Sequence, residues 1–158
     1  MLVALEQADE SLVGVAHFPM LDETYWAVRG EGAFLHSARL HVSDVDSIEK
    51  CSFSPGGLHL AQARPHLPRV TDLRQRSWSV RSYDGGLAAC LLAAGKLEIW
   101  FEPKVEIWDL AALKLILEEA GALFFALDGS RRIDRGNAIG CAPGVADDVR
   151  KAFGIPDQ

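Results

Sequence analysis

From Ser77 onward the chain alternates extended and helical stretches, and this alternation limits the possible folds more than any other feature. Ser77 to Arg81 reads as a strand, Leu87 to Ala94 as a helix, Lys96 to Glu102 as a strand and Leu110 to Ala120 as a helix. Leu123 to Leu127 and Ala138 to Cys141 read as strands, and Ala146 to Phe153 as a closing helix. Gly121 is placed to stop the helix before it, because glycine takes the left-handed conformation in which helices often end. The first half differs in kind. Leu12-Val-Gly-Val-Ala-His-Phe18 reads as a buried strand, with Thr24 to Arg29 beyond the polar turn Leu21-Asp-Glu. Ala33 to His36 and Leu40 to Ser43 follow the turn Gly30-Glu-Gly32, which predicts an antiparallel meander. Ser47 to Ser54 reads as a further strand stopped by Pro55-Gly-Gly, and Leu58 to Asp72 as weakly helical, broken at Pro65 and Pro68. Strands followed by strand-helix alternation predict an α/β protein with helices layered against a buried mixed sheet.

A chain of 158 residues, 49% of them hydrophobic, is long enough for one domain with a real core, so a single domain over residues 1–158 is expected. The apolar runs are too short and interrupted to cross a bilayer, and Met1 to Gln7 lacks the basic start and cleavage site of a secretory signal. A soluble, cytoplasmic protein without membrane contact is expected. The net charge of −6 and the scattered arginines offer no continuous basic surface outside the short Arg131, Arg132 and Arg135 cluster, which argues against nucleic-acid binding. Cys51, Cys90 and Cys141 show no C-x-x-C spacing and read as reduced, buried small hydrophobes.

The chemistry-bearing residues gather in one stretch. Asp109, between Trp108 and Leu-Ala-Ala-Leu, sits at the start of an amphipathic helix whose apolar stripe is Leu110, Leu113, Leu117 and Ala120. It reads either as a carboxylate aimed at a hard cation such as Mg²⁺ or as an ordinary N-cap. Glu102 ends the preceding strand, and ligands of α/β sheets collect where strands end and helices begin, so both carboxylates can face one crevice. Glu106 reads as a solvated turn residue. Asp84-Gly85-Gly86 is a glycine-bearing turn that can bring backbone amides to a ligand at the next helix's positive end. The five histidines form no metal-binding pair, no G-x-S-x-G elbow exists, and Cys90 lies in an apolar helix, so no side-chain nucleophile is expected. The tryptophans 26, 78, 100 and 108 read as core or rim packing.

Glu102-Pro-Lys-Val-Glu-Ile-Trp-Asp-Leu-Ala-Ala-Leu, followed by Glu119-Ala-Gly121, resembles the C-terminal signature of the inositol monophosphatase superfamily. With the later Leu127-Asp-Gly129 it is most similar to the histidinol-phosphatase branch. Gly14 to Pro19, Tyr25 to Phe34 and Val42-Ser43 are similar to the central strands of that family and Gly136-Asn-Ala-Ile139 to its last one, so the likeness covers nearly the whole chain and is poorest from Pro55 to Arg74.

The resemblance implies a layered α-β-α-β-α sandwich and a Mg²⁺-dependent phosphatase acting on a small phosphomonoester, of the histidinol phosphate or inositol monophosphate class. It implies that Asp109 binds metal and that Glu102, Tyr83, Asp84 and Gly85 contact substrate. At that turn the branch reads Gly-Asp where this chain has Asp84-Gly85. The family's upstream D-P-[IL]-D-G-[ST] motif has no counterpart here, so the chain resembles a C-terminal portion that opens inside a strand and is inactive on its own. Apolar Val13, Val15 and Phe18 are then expected to lie uncovered and to favour a homo-oligomer or recruitment of the missing segment. The alternatives are a non-catalytic remnant that binds a ligand or a partner subunit, and a structural domain in which Asp109 only caps its helix.

Overall fold

A helix that is apolar on every side has few places to sit except between other layers, and the computed structural model places such a helix between two sheets. It describes residues 1–8, 10–83 and 85–155. The first sheet is an antiparallel meander in chain order: β1 (Leu2–Gln7), β2 (Glu10–Phe18), β3 (Glu23–Val28), β4 (Gly32–Leu35) and β5 (Ala38–Arg39). The second contains β6 (Ser52–Pro55), β7 (Ser79–Val80), β8 (Ile99–Glu102), β9 (Leu123–Phe125) and β10 (Ala138–Cys141) in the order β7-β6-β8-β10-β9. This sheet is mixed: β6 pairs parallel with β7 and β8, while β10 runs antiparallel to β8 and β9.

The helices are α1 (Leu67–Arg76), α2 (Gly85–Ala93), α3 (Ile107–Glu119) and α4 (Ala146–Phe153). Helices α2 and α3 lie between the sheets, where Leu92, Leu113 and Leu117 share a core with Tyr25 and Ala27 of the first sheet and Trp100 and Phe124 of the second. Helices α1 and α4 cover the far face of the second sheet, where Val70, Leu73 and Phe153 meet Phe53, Phe101 and Ile139. The layers therefore run β-α-β-α. Relative to the expected α-β-α-β-α sandwich, the described residues supply all but the outer helical layer on the first sheet.

The stripe expected on α3 is too narrow, since Leu110, Ala111, Ala112, Leu113, Leu115, Ile116 and Leu117 are all buried. A helix apolar all round belongs inside, and each leucine so buried contributes about 1.5–3 kcal/mol. Both ends of the helix are fixed by hydrogen bonds to the first sheet. Ser11 Oγ donates to the Ala111 carbonyl at 2.9 Å, and the Glu119 carboxylate accepts the Gly30 and Gly32 N–H groups at 2.8 Å each. Gly14 allows β2 to approach closely, because a Cβ there would lie 2.7 Å from the Ala112 carbonyl oxygen.

Several boundaries differ from the sequence reading for identifiable reasons. Leu40 to Ser43 is not a strand: the Val42 N–H donates to the Ala120 carbonyl and Ser43 Oγ to buried Glu98, which also accepts the Ser52 N–H. The segment crosses between sheets, anchored by that carboxylate. Ile48–Lys50 is a 3₁₀ turn, so β6 starts only at Ser52. Pro68 stands in the first turn of α1, where a missing N–H costs nothing, so it begins the helix; Pro65 lies in a preceding 3₁₀ segment. Of the tryptophans, Trp100 is in the core and Trp26 stacks on Phe34 with centroids 4.5 Å apart, but Trp78 and Trp108 are exposed.

Two stability measurements follow. Gly14→Ala forces a methyl into the Ala112 backbone and is expected to cost about 1–3 kcal/mol in denaturant unfolding, with the helical signal retained. His66 meets Phe101 edge-on with its Nδ1 buried and, among the described residues, without a hydrogen-bond partner, and burial, reinforced by Arg69, holds its pKa below the ordinary value. The unfolded chain therefore takes up this proton first. Stability is expected to decline as pH falls below about 6.5, the unfolded histidine value, and to stop declining from this source once pH is below the folded value. His66→Leu should flatten that part of a urea-midpoint profile.

Candidate functional site

The end of β8, the first turns of α2 and α3 and one edge of the first sheet enclose a cleft of about 930 Å³. Glu102, the last residue of β8, is only 8% exposed and receives the Trp100 indole N–H at 3.3 Å. The carboxylate fits there because its neighbours are glycines: a Cβ at Gly56 would overlap it, and one at Gly85 would stand 3.1 Å from Oε1. The Gly56 N–H donates to the Phe101 carbonyl at 2.7 Å, holding that backbone beside the strand.

Asp109 lines the same cleft, half-buried, in the first turn of α3. It is not the N-cap. Glu106 occupies that position, and Asp109, third residue of the helix, accepts the Glu106 N–H on Oδ2 at 3.2 Å as one arm of a capping box. Glu106 thus has a structural function beyond the solvated turn expected for it. The cap also orients the Asp109 carboxylate.

Tyr83 and Gly85 line the cleft as well, so the structure brings together four of the five expected site residues, while Asp84 lies outside the described residues. Ser82 Oγ donates to the Pro55 carbonyl at 2.9 Å and the Tyr83 N–H donates to Ser54 Oγ at 3.2 Å, which fixes this turn to the end of β6. Gly85 and Gly86 open α2, so two helix N-termini converge on the cleft and favour negative charge there. Two carboxylates in the same space oppose an anion unless a cation lies between them.

Sequence reasoning missed His59 and Lys104, which line the cleft, and gave Gly56 only the role of ending a strand. His59 has no spaced partner, and only the register of β6 beside β8 places Gly56 against Glu102. Among the described residues no group of three or more His, Cys, Asp and Glu side chains is placed to hold a metal ion. The cysteines are buried away from this chemistry. Desolvation raises all three thiols, Cys51 and Cys141 to about 12, so they stay protonated near neutrality. Arg131, Arg132 and Arg135 pair with Glu118, Asp134 and Asp128, and their charge is locally balanced. Among the described residues no helix is long and apolar enough to cross a membrane.

A layered α/β sandwich with two carboxylates at a cleft of helix N-termini defines a class, and comparison with known proteins assigns it. The inositol monophosphatase family model matches residues 1–152, and the chain belongs to that family. It is 39% identical to the histidinol-phosphatase of Mycobacterium tuberculosis over 144 residues, covering 87% of this chain and 55% of that protein. It is 36% identical to the histidinol-phosphatase of Streptomyces coelicolor, again covering 87% and 55%. The extragenic suppressor protein SuhB of Bartonella henselae superposes with a TM-score of 0.89 at 29% identity, covering 95% of this chain and 59% of that one. The chain thus spans a little over half the length of its curated relatives.

The packing around Glu102 can be tested without an assay. Gly56→Ala is expected to push the Glu102 carboxylate off its position beside Trp100, visible in a crystal structure of the variant, at a cost of about 1–3 kcal/mol in stability.

Proposed function

We propose that the cleft is the substrate-binding side of a Mg²⁺-dependent phosphatase acting on a small phosphomonoester, with histidinol phosphate as the first substrate to test. The observation that carries this reading is the placement of Glu102 and Asp109 in one cleft where two helix N-termini also open. The helix ends favour the phosphoryl group, and the carboxylates fit a hard cation and the amino or hydroxyl group of a substrate. Membership of a family whose similar members include histidinol-phosphatases supports the same substrate class.

In this reading Asp109 holds the ion, oriented by its hydrogen bond from the Glu106 N–H, since ligating carboxylates are commonly fixed by such a second contact. Glu102 binds the organic part of the substrate, and its burial beside Trp100 sets its direction. Tyr83 and Gly85 form the opposite rim; the same rim role is proposed for Asp84. When bound, the ion supplies charge neutralisation at the phosphoryl group and activation of a water. Two carboxylates do not complete an octahedral ligand set, and the described residues offer no larger group, so full activity requires ligands from the remainder of the family fold. The same observation favours a second reading for the chain by itself, in which it binds a ligand or a partner subunit without turnover.

Two variants separate the roles in a protein that carries the complete family fold. Asp109→Asn is expected to leave stability within about 1 kcal/mol of the parent, because asparagine satisfies a helix end about as well, yet to abolish Mg²⁺-dependent phosphate release. Glu102→Gln is expected to raise the KM for histidinol phosphate while leaving the Mg²⁺ titration close to parental. Parental turnover in Asp109→Asn would leave capping as the whole role of that residue.

A further inference from the structure

A second opening, of about 290 Å³, lies at the end of the first sheet where β1 turns into β2, and it shares no lining residue with the cleft. Its volume is close to the roughly 300 Å³ at which small-molecule pockets begin. Three parts of the chain enclose it: the turn after β3 contributes Arg29, one face of α3 contributes Lys114 and Glu118, and the loop between β9 and β10 contributes Arg131.

Hydrogen bonding in this opening is unequal between the two signs of charge. Each carboxylate there already accepts a hydrogen bond: Glu6 from Ser11 Oγ at 3.1 Å, Glu118 from Arg131 at 2.7 Å and Asp134 from the Arg132 Nε at 2.8 Å. Two of the cations are served less well. Arg131 occupies Glu118 Oε1, and Lys114 stands 3.9 Å from that same oxygen, beyond hydrogen-bond reach, with its side chain only 25% exposed. Arg29 uses its Nε on the Ser11 carbonyl at 3.0 Å, with Glu10 at 3.8 Å from the same nitrogen, and its two terminal nitrogens donate to no described residue.

A half-enclosed ammonium and a guanidinium with donors to spare favour an anion, because hydrogen bonds between ionised partners are the strong ones. The neighbouring carboxylates restrict its charge: a phosphate monoester, at about −1.5 to −2, meets more repulsion there than a singly charged carboxylate does. Ile107, Leu115 and Ile133 supply an apolar wall to the same opening.

We propose that this opening binds a small organic monocarboxylate with an apolar body, its carboxylate between the Arg29 guanidinium and the Lys114 ammonium and its body against Ile107, Leu115 and Ile133. The terminal N–H groups of Arg29 match the two oxygens of a carboxylate, and Lys114 adds a point charge. The site is separate from the cleft and independent of hydrolysis there. Helix α3 joins the two, since Ile107 opens the helix whose third residue is Asp109.

Calorimetric titration of the full chain with phenylacetate and with isovalerate tests the assignment, with phenylacetamide as the uncharged counterpart and inorganic phosphate as the competing anion. The expected result is saturable binding of the acids at one site, with methyl NMR shifts at Ile107, Leu115 and Ile133. Affinity should fall about tenfold or more for the amide, and by as much for the acids in Arg29→Gln and in Lys114→Met, since hydrogen bonds to charged groups carry at least that factor. Lys50→Met, an exposed position outside the opening, should bind as the parent does. The comparison of acid with amide needs no substitution, so it stands even where a variant unfolds. Absence of saturable binding overturns the proposal. Equal binding of acid and amide overturns it too, since only an apolar hollow would then remain, as does binding of the acids indifferent to both substitutions. Displacement of phenylacetate by a lower concentration of inorganic phosphate would assign the opening to phosphate and overturn the monocarboxylate class.

Discussion

Helix α3 is the element on which the rest of the structure depends. It is apolar around its whole circumference, so it is stable only with a sheet on either side, and placing it there determines the separation and orientation of both sheets. Ser11 and Glu119 fix it to the first sheet, and Gly14 lets β2 lie close enough for those bonds to form. The same rigid helix carries Asp109 in its first turn. Position at the site and stability of the core are therefore set by one element.

The cleft follows from this placement. Strand β8 ends and α3 begins within a few residues, separated by Pro103, so Glu102 and Asp109 come to one opening by chain connectivity alone. Helix α2 adds a second N-terminus only because Ser82 and Tyr83 are hydrogen-bonded to the end of β6. Glycines at 56 and 85 leave the volume that the Glu102 carboxylate occupies. The site is thus a product of backbone geometry, with side-chain identity mattering at a few positions.

Periodicity made the layered α/β class, the meander and the second-half helices legible, and the Trp108-Asp109 stretch drew attention to the right carboxylates. What the sequence concealed was long-range. The strand reading of Leu40 to Ser43 rested on local apolar character, but the hydrogen bonds of that segment go to Ala120 and Glu98, distant in the chain. Pro68 was read as a helix breaker, and its position in the first turn makes it a starter. Glu106 gave no sign of being the N-cap, because an aspartate three residues later is the more usual choice for that place. Gly56 and His59 could be found only from the pairing of β6 with β8 and the shape of the cleft.

The central claim is that metal and phosphoester meet at Asp109 and Glu102. The most direct test is a crystal structure of the complete family fold containing this chain, grown with Mn²⁺ in place of Mg²⁺ and a non-hydrolysable histidinol phosphate analogue, with the ion located by its anomalous signal. The account predicts an ion in direct coordination with an Asp109 carboxylate oxygen and the analogue's amino group at Glu102. An ion bound elsewhere, with Asp109 engaged only in its hydrogen bond from the Glu106 N–H, would contradict it.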